Sequence, residues 1–379
     1  MPEKKLRIGI LFNFNPSWMG GIIYILNLIR TLDFLDETEK PEILLFYRSD
    51  LKKFADQIKY PHLTPVQWTF PSVYKGYIKS WFLRKNCFIS DIIGKYDLDG
   101  IYPLHDYPVR TRTKTRLVCW YADLQHKYYP GFFTRKKLFE RNLRIRFIMK
   151  NSDHLVVSSQ AVADDFMNFF RINSNLKIHV YHFVSIIDDL SGPGIDDLRK
   201  KYSLPVKYFM VSNQFHRHKN HRILLKSLIS LNNKGHRIHL AMTGRFPEAS
   251  HSPYMQELHY LIKEFNLQSQ ISMLGIIDRN EQLLLMKHSL AVLQPSLFEG
   301  WSTVIEDAIS LRVPVIASSI PVNIEQLGNY GIFFDPHDHE NLADILENFA
   351  DSTRDSKFYP DYKGRIRNAA QIFIKIFQD

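Results

Sequence analysis

The sequence predicts an α/β protein built from two doubly wound parallel-sheet domains facing a central cleft. Three observations carry this expectation. Short apolar runs alternate with amphipathic stretches along nearly the whole chain. The alternation breaks once, over 184–205 at Gly192-Pro193-Gly194, and then restarts. The length, 379 residues, is long for one core and natural for two.

The first half opens with a strand at 6–14, "LRIGILFNF". Its apolar run is only about eight residues and is followed by Asn and Pro, so a strand is expected rather than a signal peptide. A loop, 15–21, precedes a helix over 22–32 with Ile22, Ile25, Leu26 and Ile29 on one face. Further strands are expected at 42–48, 99–104, 115–123, 154–159 and 177–183. After the break, strands are expected at 207–213, 237–244, 270–275, 289–295, 313–319 and 330–335. Helices are expected at 220–233, 253–265, 280–288, 303–311 and 339–350. The domains are thus expected at 1–187 and 188–361, with 184–205 as the linker. The last helical stretch, 362–379, has no strand after it and can return to the first domain.

Hydrophobic content of 45% supports packed interiors, and charged content of 23% is ordinary. No apolar run approaches the roughly 18 residues of a spanning helix. The two cysteines, Cys87 and Cys119, form neither a disulfide framework nor a metal-ligand spacing, so a reducing cytoplasm is expected. The net charge of +10 points to acidic partners: phosphates, an anionic membrane or nucleic acid. The charge is concentrated in 131–150, "GFFTRKKLFERNLRIRFIMK", with seven basic residues against Glu140.

The stretch 296–319, "SLFEGWSTVIEDAISLRVPVIASS", gathers three carboxylates at a strand-to-helix junction. Thr303-x-x-Glu306 matches a capping box, which gives Glu306 a structural explanation. The start of that helix, at Ser302 or Thr303, offers free N–H groups to an anion. Gly300 permits close approach of a ligand. Glu299 lies in the turn before the helix, either as a solvated acid or as a ligand-binding one.

This stretch resembles the signature of the family 4 type of GT-B glycosyltransferases, E-G-F-G-L-P-x-x-E-A followed by G-x-P-V-I-A-S, aligned on Glu299-Gly300 and on Pro314 to Ser318. GT-B implies two Rossmann-like domains around a cleft. The resemblance implies that Glu299 contacts the donor sugar and Asp307 the ribose; the family has Glu where Asp307 stands. "SNQFHRHKNHRILLKSL" (212–228) resembles the G-R-L-x-x-x-K-G loop that holds the nucleotide diphosphate. Lys219 falls on the lysine, while Gln214 replaces the arginine, leaving Arg217 or His218 to restore charge. Gly244 and Gly275 match turns near the nucleotide. Gly20-Gly21 look like the family's N-terminal glycine loop. "WYADLQHKYYP" (120–130) resembles its W-x-x-D-x-Q-H-x-x-x-P segment, making Asp123 and His126 acceptor-side candidates; Ala122 stands where many relatives have His. His105 and Asp106 are further candidates.

The resemblance implies transfer of a sugar from a nucleotide-diphosphate sugar to a glycan or lipid-linked acceptor. It further implies retention of configuration, without metal or cofactor, in cell-surface polysaccharide or lipid-linked glycan synthesis. The basic-aromatic stretches 74–86 and 131–150 fit an anionic membrane surface, placing the protein in the cytoplasm at the inner face of the plasma membrane. The rivals are a GT-B sugar-nucleotide epimerase, a non-catalytic nucleotide-sugar binder, and a nucleic-acid binder. The last is not expected, since the basic residues lie outside any recognised nucleic-acid motif.

Overall fold

The computed structural model describes residues 5–16, 18–188, 190, 192–248, 252–351, 359 and 361–378. Among them the chain forms two compact units, Met1–Ile186 with Lys363–Asp379, and Ile187–Tyr362. The strands of the first are β1 (Arg7–Phe12), β2 (Glu42–Tyr47), β3 (Leu63–Gln67), β4 (Gly100–Leu104), β5 (Arg116–Tyr121), β6 (His154–Val157) and β7 (Lys177–Val180). Those of the second are β8 (Phe209–Ser212), β9 (Leu240–Thr243), β10 (Ile271–Gly275), β11 (Val292–Gln294), β12 (Val315–Ser318) and β13 (Ile332–Phe334). The sheet orders are β3-β2-β1-β4-β5-β6-β7 and β10-β9-β8-β11-β12-β13, and all neighbouring pairs are parallel.

Parallel strands covered by helices on both faces must be apolar throughout rather than alternating. "RIGILF" of β1 and "EILLFY" of β2 each bury five of six residues. Two cores result. One gathers Leu11, Phe46, Ile101, Ile148 and Phe166; the other gathers Phe209, Leu224, Leu240, Leu293 and Ile316. Each sheet reverses its strand order once, between β1 and β4 and between β8 and β11. In such sheets ligands bind outside the carboxyl ends of the strands at that reversal.

Several elements differ from expectation. β3 reads "LTPVQ", a mostly exposed edge strand whose Pro65 conceals it in the sequence; a proline is tolerated where one side of the ladder is unpaired. The helix Pro321–Leu327 also lies outside the expected elements. The first helix starts at Met19, not at 22, so Gly20 and Gly21 occupy its first turn rather than a loop before it. A Cβ on Gly21 would lie 2.6 Å from the Trp18 ring, so the absence of a side chain lets that indole pack on the helix. The expected linker contains the helix Ile195–Tyr202, which buries Leu198 and ties Lys201 to Glu281 at 2.7 Å.

The final helix, Tyr362–Gln378, packs on the first sheet. Phe373 meets Tyr102 at 5.3 Å, and Arg116 Nη1 donates to the Ile376 carbonyl at 2.8 Å. Gly100 leaves the space that Phe377 fills, since a Cβ there would lie 2.1 Å from that ring. No helix among the described residues is long and apolar enough to cross a membrane.

Candidate functional site

In the second unit the chain leaves β8 at Ser212 and β11 at Gln294, the two central strands of the reversal. The turns after them are tied together. Lys219 Nζ donates to Glu299 Oε1 at 2.5 Å, and Gln294 Nε2 donates to the same oxygen at 2.8 Å. Asn213 Nδ2 donates to Gln294 Oε1 at 3.0 Å, and Leu297 N to the His218 carbonyl at 2.7 Å. The Lys219 and Glu299 side chains are only 18% and 10% exposed. Glu299 is therefore not a solvated loop acid: it is one half of a largely buried, hydrogen-bonded ion pair. Such a pair is retained at the cost of desolvation, which suits a site that must present opposite charges in fixed places.

The neighbouring histidines do not add charge. Burial, with Lys219 nearby, pushes His218 down to about 3 and His221 to about 3, and lowers His216. Burial beside the Lys219 ammonium disfavours the charged form of His218 that would restore the cation lost at Gln214. Arg217, exposed in the turn Arg217–Lys219, remains the second cation of this loop. Gln214 is exposed and shares a hydrogen bond with His216 at 2.9 Å.

Gly244 has φ +135, and a Cβ there would lie 2.3 Å from the Asn213 carbonyl oxygen. Glycine is what lets the end of β9 press against the exit of β8. Gly275, at φ +71, accepts from Gly244 N at 2.9 Å through its carbonyl.

The helix Thr303–Ser310 is capped by Ser302, whose Oγ accepts from Ile305 N at 3.3 Å. The expected Thr303–Glu306 capping box does not form. With Ser302 as the cap, Glu306 falls one residue beyond the box position, and its carboxylate turns inward instead. It accepts from Gln326 Nε2 at 2.9 Å and from the Tyr362 hydroxyl at 2.8 Å, fully buried. Gln326 also brackets Ser302, accepting from its N–H at 3.1 Å and donating to its carbonyl at 2.9 Å. Gly300 completes the turn between Glu299 and the cap, and Thr303 begins the helix. Asp307, 1% exposed, accepts from Arg279 Nη2 at 2.6 Å. Arg279, at the start of the helix Arg279–Lys287, was not expected from the sequence; its signal was its place four residues after the turn at Gly275.

In the first unit a cavity of about 650 Å³ opens at the carboxyl ends of β1 to β4. Its lining includes Asn13 and Trp18 after β1, Arg48 and Asp50 after β2, Trp68 after β3, and His105 and Asp106 after β4. Arg144 reaches it from the helix Arg135–Asn151, and its Nε donates to Asp106 Oδ1 at 2.9 Å. Burial and the Arg144 charge push His105 down to about 3. Gly20 and Gly21 do not line this cavity, and neither do Asp123 or His126. Asp123 accepts from Arg141 Nη2 at 3.2 Å and Gln125 N at 3.0 Å. His126 is 2% exposed, and burial with Arg141 nearby pushes it down to about 4. Arg48, Asp50, Trp68 and Arg144 were missed in the sequence, Trp68 because β3 was. The one Asp-x-Asp spacing, Asp97-Leu98-Asp99, sits at the opposite end of β4, where Asp99 accepts from Arg7 N at 2.8 Å.

Residues 195–368 match the family described as Glycosyl transferases group 1. The chain is 24% identical over 226 residues to the O-antigen chain mannosyltransferase RfbU of Salmonella typhimurium, covering 60% of this chain and 58% of that one. The chain thus spans little more than half the length of that relative. The fold is shared with sucrose-phosphate synthase from Thermosynechococcus elongatus, at TM-score 0.65 and 17% identity over 99% of this chain and 94% of that one. It is also shared with HepE from Anabaena, solved in complex with UDP-glucose, at TM-score 0.63 and 17% identity over 98% and 97%.

Proposed function

We propose, from the premise that this chain is a GT-B glycosyltransferase whose residues 195–368 form a group 1 domain, that it moves a sugar from a nucleotide-diphosphate sugar to an acceptor hydroxyl. The observation that carries this reading is the buried Lys219–Glu299 pair at the strand-order reversal of the second sheet. The complex of HepE with UDP-glucose supports a nucleotide-sugar donor, and the O-antigen mannosyltransferase supports a glycan acceptor.

The chemistry asks for what this site offers. The bond from the anomeric carbon to the diphosphate oxygen breaks, and that carbon bonds to the acceptor oxygen. The acceptor's proton passes to a diphosphate oxygen. Negative charge grows on the departing diphosphate, and preorganised cations and N–H groups stabilise it best in a dry site. Lys219, Arg217 and the N–H groups after Ser302 are assigned that task. Glu299, held by Gln294, accepts from sugar hydroxyls, and Asp307 is assigned to the ribose. Gly244 and Gly275 keep the nucleotide's floor free of side chains. His105 and Asp106, which line the cavity, are assigned to the acceptor side together with Asp123. Retention of configuration and independence of metal belong to this proposal. So does a place in cell-surface polysaccharide or lipid-linked glycan synthesis at the cytoplasmic face of a membrane.

A thermal-shift screen of UDP-, GDP-, ADP- and dTDP-sugars tests it. A donor at a hundredfold its Kd stabilises the fold by about 2.7 kcal/mol. One donor class should shift the melting temperature, and Lys219→Ala should abolish that shift. If no nucleotide sugar shifts the wild type, or if Lys219→Ala responds as the wild type does, the assignment fails.

A further inference from the structure

The helix Val73–Leu83 presents an unusual face to solvent. Gly76, Tyr77 and Ser80 turn inward, Gly76 so closely that a Cβ would lie 2.3 Å from the Phe88 ring. The opposite face carries Tyr74, Ile78, Trp81 and Phe82, spaced one helical turn apart. They are 59%, 66%, 47% and 86% exposed. A second helix, Arg135–Asn151, lies against it. Trp81 and Tyr77 each pack on Phe147 at 5.7 Å, the Tyr74 hydroxyl bonds to Glu140, and Lys136 Nζ lies 5.4 Å above the Tyr74 ring. This helix also exposes Phe139, at 67%, next to Glu140, which bonds to Tyr74.

Cations border the apolar stripe. Lys75, Lys79, Arg84 and Lys85 are exposed on the first helix or at its end, and no acid occurs between Ser72 and Asn86. Arg135, Lys136 and Lys137 are exposed at the start of the second. A second copy of this chain seated on the face would oppose these cations to their own images, which disfavours a self-paired interface. A single-stranded nucleic acid would satisfy the charge and stack on Trp81 and Phe82, but would leave aliphatic Ile78, 66% exposed, without an apolar sink. A bilayer with anionic lipid satisfies both.

We propose that the paired helices Val73–Leu83 and Arg135–Asn151 dock this protein on an anionic bilayer, with Ile78, Trp81, Phe82 and Phe139 entering the lipid boundary. The cavity of the first unit shares this edge: Ser72 and Val73 at the start of the docking helix and Arg144 on its neighbour all line it. Docking therefore sets the cavity mouth at the lipid surface, which selects acceptors whose saccharide head is anchored in the bilayer. This deepens the glycosyltransferase reading and rests on it for the word acceptor; the docking itself does not.

The test is co-sedimentation with vesicles of phosphatidylcholine, alone or with about one-third phosphatidylglycerol. Wild type should bind the anionic vesicles, bind them less in high salt, and bind phosphatidylcholine alone weakly. The double variant Ile78→Asp, Phe82→Asp should lose at least about tenfold in vesicle affinity. Both positions are exposed, and an unchanged melting temperature and nucleotide-sugar shift show that the variant is folded. Tryptophan fluorescence should be quenched by a headgroup-proximal lipid quencher in wild type, and less so in Trp81→Phe, which keeps the other four tryptophans. The proposal is overturned by wild type failing to bind anionic vesicles, or by the double variant binding as wild type does. It is also overturned if the double variant converts a dimer to a monomer without touching vesicle binding, or if single-stranded nucleic acid binds more tightly than vesicles and the double variant leaves that binding intact. Vesicle binding without any nucleotide-sugar response would keep the docking and discard the enzymatic reading.

Discussion

The two sheets reverse their strand order in the same way, yet what stands at each reversal differs. In the second unit a lysine and a glutamate are nearly buried and held by a relay of buried amides, Asn213 and Gln294. In the first, a cavity of about 650 Å³ is walled by Trp18, Phe14 and Trp68 and edged by the ion pairs Arg48–Asp50 and Arg144–Asp106. The contrast separates two tasks that one fold can carry. A site whose ligand always has the same charged part can afford a rigid network with its charges fixed. A site for a variable saccharide needs room, aromatic faces and polar groups still facing water.

If the network is what does the chemistry, breaking it should give the largest effect. Glu299→Ala should reduce transfer by about 10² to 10³-fold, the range found when one preorganised group is removed from a transition-state site. Lys219→Ala should fall in the same range in initial-rate measurements, and should also cost about 3 kcal/mol in denaturant unfolding, because it strands a buried carboxylate. Combining the two should recover part of that stability but none of the rate. Additive stability losses would show that the pair is not coupled.

The next effect concerns the turn that supports the network. Gly244→Ala should destabilise the protein by about 2 kcal/mol, since the conformation is left-handed and the new methyl would lie 2.3 Å from the Asn213 carbonyl. The donor-induced thermal shift should shrink with it, because Asn213 orients Gln294 and thereby Glu299. A Gly244→Ala variant as stable as wild type would show that the end of β9 yields freely.

Acid should then weaken the second unit through His221, which is 1% exposed and stacks on Phe215 at 4.1 Å. Its folded pKa is about 3, whereas the unfolded side chain titrates near its ordinary 6.5. Between those values the unfolded chain holds the extra proton. The stability contributed by the neutral ring is therefore complete above about pH 6.5 and is lost as pH falls toward 3. At pH 5 the loss should be about 2 kcal/mol, at 1.4 kcal/mol per unit. His221→Leu should narrow the difference in unfolding free energy between pH 8 and pH 5 by that amount. An unchanged difference would place the titrating group elsewhere, with His105 of the first unit, also at about 3, next to be replaced.

The sequence made the second unit far more legible than the first, for physical reasons. Its strands are short, apolar and bounded by glycine or proline, and Glu299 lies in a motif long enough to align. Two things escaped. The cap falls on Ser302 rather than Thr303 because hydroxyl neighbours are interchangeable in a pattern, and Glu306 finds Gln326 and Tyr362 only through tertiary contact. Arg279 reaches Asp307 from another helix, which no local spacing encodes. In the first unit β3 is an exposed edge strand with a proline, so its periodicity is erased, and with it Trp68 and the cavity wall. Gly20 and Gly21 read as a ligand loop, yet the space they leave at Gly21 meets the Trp18 ring.

The smallest effect sharpens the comparison most, because it sets one ion pair against another. Arg48 and Asp50 form a salt bridge with both side chains about two-fifths exposed, against 18% and 10% for Lys219 and Glu299. Water screens an exposed pair, so Asp50→Asn should change unfolding free energy by less than about 0.5 kcal/mol. If the cavity takes a saccharide whose hydroxyls donate to Asp50, the same substitution should raise the acceptor KM on the order of threefold and leave kcat and the donor KM alone, the signature of a uniform binding contact. A change in kcat, or a stability loss near that of Lys219→Ala, would mean that this edge of the first unit is wired into the chemistry as tightly as the network of the second, and the division of tasks would have to be withdrawn.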